Sequence, residues 1–189
     1  MSAKHPSGKR AIGLIEMRSI ALGIQAADVM LKQGDVELLR AHVVCPGKFI
    51  VLIGGDVGAV RSAMNAGEQV APGVTVDTLL LPNVDPCIFP ALAAATEIDE
   101  VRSLGVIETY TLASAIVAAD TAVKAATVQL IEIRLPFALG GKAFAILTGD
   151  VSAVRTAVES AVNNLRDEGV IESYTVIASP HKSLIDKLL

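Results

Sequence analysis

The chain has 189 residues, of which 52% are apolar and 19% charged, with a net charge of −4 at pH 7. Mean hydropathy is +0.54, yet charged residues break each apolar run short of the ~20 residues that a membrane-spanning helix needs. An acidic balance (pI near 5.4) and only 3% aromatic residues exclude the basic, aromatic-studded footprint of a nucleic-acid binder, so neither nucleic acid nor membrane is expected as a partner. Residues Met1–Arg10 carry no apolar signal core and no Arg-rich amphipathic pattern, and read as a disordered, solvated tail. Two cysteines, Cys45 and Cys87, are too few to staple a chain of this length, which places it in the reducing cytoplasm.

In chain order, Ala11–Met17 reads as an apolar strand, and Ser19 as the N-cap of a helix reaching about Gln33, where Gly34 stops it. Two apolar runs follow, Val36 to Val44 and Phe49 to Ile53, joined by Cys45-Pro46-Gly47. Proline fixes φ and glycine permits a left-handed step, so this joint is a tight turn with Cys45 at its lip. Asp56 is expected to cap a second helix from Val57 to about Val70, closed by Ala71-Pro72-Gly73. A strand from Thr75 to Leu81 and a short helix from Pro86 to Ala95 complete a β-α-β-β-α-β-α unit.

The order then begins again. Gly13-Leu14-Ile15-Glu16 returns as Gly105-Val106-Ile107-Glu108, Ala26-Ala27-Asp28 as Ala118-Ala119-Asp120, and Lys32 as Lys124, each 92 residues on (Gly13 to Gly105). Beyond the turn, Gly47-Lys48 matches Gly141-Lys142 and Gly55-Asp56-Val57 matches Gly149-Asp150-Val151, now 94 residues on (Asp56 to Asp150). The second copy has thus gained two residues at the turn. A period this long exceeds the ~20 to 50 residues of solenoid repeats and marks a duplicated domain. The expected fold is α+β, two tandem α/β sandwiches with antiparallel-rich sheets, spanning 11–100 and 101–189 after the 1–10 tail.

Each copy serves as a control for the other. Glu16 and Glu108 occupy the same strand position, and Asp56 and Asp150 the same helix start, so these acids read as structural. Gly54-Gly55-Asp56-Val57-Gly58 lacks the spacing of a phosphate loop, and its counterpart Thr148-Gly149-Asp150-Val151-Ser152 keeps only one of the glycines. Cys45 has no counterpart: the second turn is Leu135-Pro136-Phe137-Ala138-Leu139-Gly140-Gly141. Cys87 reads as buried packing at the start of its short helix. His42 and His181 lie in unrelated elements and form no spaced metal pair. No nucleophile-base arrangement announces an enzyme, and none is expected.

Taken together, Ala11-Ile12-Gly13-Leu14-Ile15-Glu16, the helix ending Ala26-Ala27-Asp28-Val29-Met30-Leu31-Lys32 with its copy, the Gly-Lys turn and the Gly-Asp-Val helix start resemble tandem-domain bacterial microcompartment shell proteins. The likeness runs from Ala11 to Leu189, in unpermuted order, with a ferredoxin-like sandwich in each copy. Within the family, Val43-Val44-Cys45-Pro46-Gly47-Lys48-Phe49 is similar to the turn of the iron-sulfur trimeric shell proteins of propanediol-utilisation compartments.

The resemblance implies a homotrimer forming a flat pseudohexagonal tile in a microcompartment shell within the cytoplasm. Its partners would be other shell proteins and a luminal or cytosolic redox protein. The turns would meet at the central axis, lined by Cys45, Pro46, Gly47, Phe137, Ala138, Leu139 and Gly140, and Lys32 and Lys124 would fall on the tile edge. One cysteine per chain cannot hold a cluster, but three around an axis bring soft thiolates together, the donors that suit iron-sulfur or zinc. Cys45 is therefore the expected metal ligand, for a 4Fe-4S cluster shared by three chains and serving electron transfer or cluster delivery across the shell. The alternative is a metal-free tile whose axis is a metabolite pore.

Overall fold

The computed structural model describes residues 10–98, 100–136 and 139–188; the expected tail, apart from Arg10, lies outside them. The chain divides into two compact units, with the division between Val84 and Asp85. In the first unit the elements are β1 (Ala11–Met17), α1 (Ile20–Gln33), β2 (Val36–Val44), β3 (Lys48–Gly55), α2 (Val57–Gln69) and β4 (Thr75–Pro82). The strands form an antiparallel sheet in the order β2-β3-β1-β4. β1 lies inside the sheet and is buried along its whole length, which is why its sequence is a continuous apolar run rather than an alternating one.

Helices α1 and α2 cover the face presented by Ile15 and Met17 of β1 and Phe49, Val51 and Ile53 of β3. Met30 of α1 and Val60 and Met64 of α2 interdigitate with them, each fully buried side chain contributing roughly 1.5–3 kcal/mol. Close approach of α2 requires a glycine in β1. A Cβ at Gly13 would stand 2.7 Å from Val60 Cγ1, and one at the matching Gly105 would stand 2.9 Å from Leu147, Val154 and Val158. The repeated glycine of each first strand is thus a packing requirement.

The second unit holds α3 (Ile88–Leu92), β5 (Leu104–Thr109), α4 (Leu112–Ala125), β6 (Gln129–Arg134), β7 (Ala143–Thr148), α5 (Val151–Leu165), β8 (Ile171–Ile177) and α6 (Lys182–Leu188). Its sheet order, β6-β7-β5-β8, repeats that of the first. Even the irregularities recur. Register shifts fall between Leu38 and Arg40 and between Leu130 and Glu132, and again between Glu16 and Met17 and between Glu108 and Thr109.

Two expectations are modified. The short helix thought to complete the first unit packs instead on β6 and α4 of the second. Five residues with one small apolar face (Ile88, Ala91, Leu92) fit either sheet, so sequence order could not assign it. Ser19 caps α1 by accepting the Leu22 N–H at 3.4 Å, and Thr111 caps α4 by accepting the Ser114 N–H at 3.2 Å. Asp56 and Asp150 occupy the N-cap positions of α2 and α5, but neither side chain makes a cap hydrogen bond. Asp150 is drawn instead to Arg102, 2.5 Å away.

Candidate functional site

The distinguishing turn joins β2 to β3 through Cys45, Pro46 and Gly47. Val44 before it and Phe49 after it are buried, so both strands are anchored up to the bend. Between these anchors Pro46 and Gly47 are exposed and Cys45 is half-buried, with a free thiol. The Cys45–Pro46 peptide is cis and Gly47 has φ +78°, with open space around its Cα. A non-glycine side chain would be strained there whatever the room. The turn thus presents one half-buried thiol at the end of the β2–β3 hairpin.

The matching turn of the second unit is built differently. Leu135 and Pro136 are buried, Leu139 is half-buried and Gly140 is exposed at φ +64°. The Lys142 N–H closes it by donating to the Leu139 carbonyl at 3.2 Å. Phe137 and Ala138 lie outside the described residues. Of the seven residues expected to line an axis, Cys45, Pro46 and Gly47 therefore share one turn, and Leu139 and Gly140 share another in the other unit.

At the foot of each turn sits an ion pair that neither Glu nor Lys signalled alone. Glu16 lies opposite Ile50 in the β1–β3 ladder, and Lys48 is two residues before Ile50 on the same face. Diagonal neighbours of this kind are within reach of long side chains, and Lys48 pairs with Glu16. Glu108 and Lys142 repeat the arrangement at 3.0 Å. There Lys142 also contacts Glu172 at 3.0 Å, while the Ser173 hydroxyl donates to Glu108 at 2.8 Å. The Tyr110 hydroxyl beside Glu172, together with the Lys142 ammonium, holds the Glu172 carboxyl below its ordinary value. The two carboxylates in turn hold the Lys142 ammonium above its own. The signal for these pairs was present in the repeat, which keeps Glu and Lys together in both copies.

Cys87 differs from Cys45 in kind. It is half-buried rather than the fully buried packing residue expected, because it stands at the N-terminus of α3 with its N–H donating to Asp85 Oδ1 at 3.0 Å. Burial first, then the hydrogen bond and charge of Asp85, with Asp120 adding to them, push its thiol up to about 12. Metal ligands are thiolates, so Cys87 is a poor donor near neutral pH. Among the described residues no group of three or more His, Cys, Asp or Glu is placed to hold a metal within one chain.

The two helix-end lysines each pair with an aspartate one turn earlier, Lys32 with Asp28 at 2.6 Å and Lys124 with Asp120 at 2.5 Å. The lysine matches were legible in the repeat; the aspartate partners, though repeated as well, were read only as part of the motif.

The BMC domain family model matches this chain twice, over residues 11–84 and 103–180, which are the two sheet-and-helix layers described above. The chain is 41% identical over 175 residues to the bacterial microcompartment shell protein PduT of Citrobacter freundii, covering 93% of this chain and 95% of that protein. A 66-residue stretch is 36% identical to the shell protein PduA of the same organism, covering 35% of this chain and 71% of that one. Among solved structures, a microcompartment protein from Desulfitobacterium hafniense superposes with a TM-score of 0.91 at 48% identity, covering 95% of this chain and 99% of that one. PduT and PduA are both microcompartment shell proteins. With two BMC domains in tandem and unpermuted order, the chain belongs to the BMC-domain family and is a structural protein of a bacterial microcompartment shell.

Proposed function

We propose that three copies of this chain form a pseudohexagonal shell tile that assembles with other shell proteins, with the three Cys45 turns at its central axis holding one iron-sulfur cluster. The observation that carries this reading is the contrast between the two turns. One unit ends its hairpin in a half-buried free thiol, whereas the turn of its counterpart, residues 135–141, has no cysteine in its sequence. The donor set fits such a cluster only by symmetry, because a single chain offers one suitable thiolate and no neighbouring group of ligands among the described residues. Soft thiolates favour iron-sulfur clusters over hard cations. Similarity over nearly the whole chain to PduT adds support for a shell role.

Cys45 would supply the ligands, with Pro46 and Gly47 fixing the direction of the thiol. The buried Glu16–Lys48 pair would hold the hairpin base. A four-iron cluster bound there supplies one-electron redox chemistry, tuned by exposure and by hydrogen bonds to its sulfurs. Such a tile would pass electrons, or deliver a cluster, across the shell to a redox partner. The test is anaerobic purification followed by absorption and paramagnetic-resonance spectra of the parent, Cys45→Ser and Cys87→Ser. The parent and Cys87→Ser should carry the cluster signal, and Cys45→Ser should lose it while keeping its oligomeric state. A parent without iron or sulfide after anaerobic reconstitution would leave the metal-free tile, with Cys45, Gly140 and their neighbours lining a pore.

A further inference from the structure

The paired lysines of the two units repeat in sequence but not in surroundings. Asp28 and Lys32 are both largely in solvent, with side chains 58% and 73% exposed, and an exposed pair of this kind does little to hold a lysine still. Asp120 is only 8% exposed while Lys124 is 43% exposed. One oxygen of Asp120 accepts the Asp85 N–H at 2.8 Å and the other accepts the Lys124 ammonium at 2.5 Å. Its carboxylate therefore cannot swing away with its partner, because the backbone leading into α3 pins it. Lys124 also lies in the last turn of α4, where the helix dipole favours a cation.

We propose that Asp120 is a positioning residue for contact between tiles: it orders Lys124 before docking, so that the edge bearing Lys124 sets the register against a second copy of this chain. The Lys32 edge adds a looser contact. This rests on the tile-edge reading of Lys32 and Lys124. A lysine loses much rotamer freedom when it docks, and that loss opposes association unless the side chain is already held. The partner is a second copy because both units place the same Asp-x-x-x-Lys sequence at the same helix end.

The test measures the protein concentration at which sheets form, by electron microscopy and pelleting, with the oligomeric state of each variant checked by mass. Asp120→Asn keeps an oxygen for the Asp85 N–H and removes the negative charge that faces Lys124, a charge that also acts on the Cys87 thiol. Asp120→Asn and Lys124→Ala should each raise the threshold about tenfold, and the double variant no further than Lys124→Ala alone. Asp28→Asn and Lys32→Ala should raise it less than about threefold. An Asp120→Asn threshold equal to the parent's, or equal effects in both units, overturns the positioning role while the edge reading stands. Lysine variants that leave the threshold unmoved overturn both. Should Asp120→Asn fail to fold, amine acylation of the unassembled parent decides the matter by mass spectrometry. Slower reaction at Lys124 than at Lys32 supports the proposal, and equal or reversed rates contradict it.

Discussion

At the foot of the first turn a carboxylate only 2% exposed meets a lysine 19% exposed, whereas at the foot of the second the equivalent groups are 33% and 37% exposed and share a second acid. One sequence motif, Glu on the first strand and Lys after the turn, therefore carries different weight in the two units. A buried pair is costly to break because the survivor is stranded without water, while an exposed pair is replaced by hydration at little cost. The hairpin that bears Cys45 thus has the more deeply buried base. A repeated motif reports shared architecture, and its depth decides what each copy contributes.

The largest expected effect breaks this contrast directly. Lys48→Ala should destabilise the first unit by about 3–5 kcal/mol, whereas Lys142→Ala should cost far less, as read from urea unfolding. Replacing both members of the buried pair, Glu16→Leu with Lys48→Met, should recover most of the loss, since apolar groups of similar size need no partner. Equal costs at Lys48 and Lys142 would show that burial does not separate the pairs. Next in size, Gly13→Val and Gly105→Val should each cost about 1–3 kcal/mol by forcing α2 and α5 off their sheets. Here the two units should behave alike, so a large difference between them would reveal unequal packing where the repeat implies equality.

The cysteines sharpen the comparison further. With its thiol near 12 rather than the ordinary 9.0, Cys87 should react with iodoacetamide at pH 8 about a thousandfold more slowly than a model thiol, following its thiolate fraction. Alkylation at Cys87 as fast as that of a free peptide thiol would contradict the environment assigned to it. The smallest effect concerns Glu172. Its folded-state value is held low by Tyr110 and Lys142, so its stabilising contribution is present above the ordinary carboxyl value of about 4.3 and is lost as pH falls through the lower, folded one. Glu172→Gln should accordingly narrow, slightly, the drop in melting temperature between pH 7 and pH 3. A variant whose drop matches the parent's would remove that contribution.

The duplicated order of elements was legible because glycines, caps and apolar runs recur at a fixed spacing, and local chemistry places each of them. Ser19 announced its helix through a hydroxyl that accepts the Leu22 N–H of its own first turn. Asp150 held the same position, yet Arg102, distant in sequence, took its carboxylate; such competition is invisible without tertiary contacts. The same limit applies to Asp85, whose backbone N–H pins Asp120 and whose carboxylate raises Cys87. Of the candidate site, the turn and its thiol were legible from the failure of the repeat at Cys45. The depth that separates Glu16 from Glu108 was not, because both residues read identically along their strands.

The central claim, one cluster shared by three chains through Cys45, is tested most directly by native mass spectrometry of the anaerobically purified protein. The expected result is a trimer carrying the added mass of a single four-iron, four-sulfide cluster, with a Cys45→Ser trimer lacking that mass. A trimer of bare chains after reconstitution, a cluster on single chains, or an added mass that survives Cys45→Ser would contradict it.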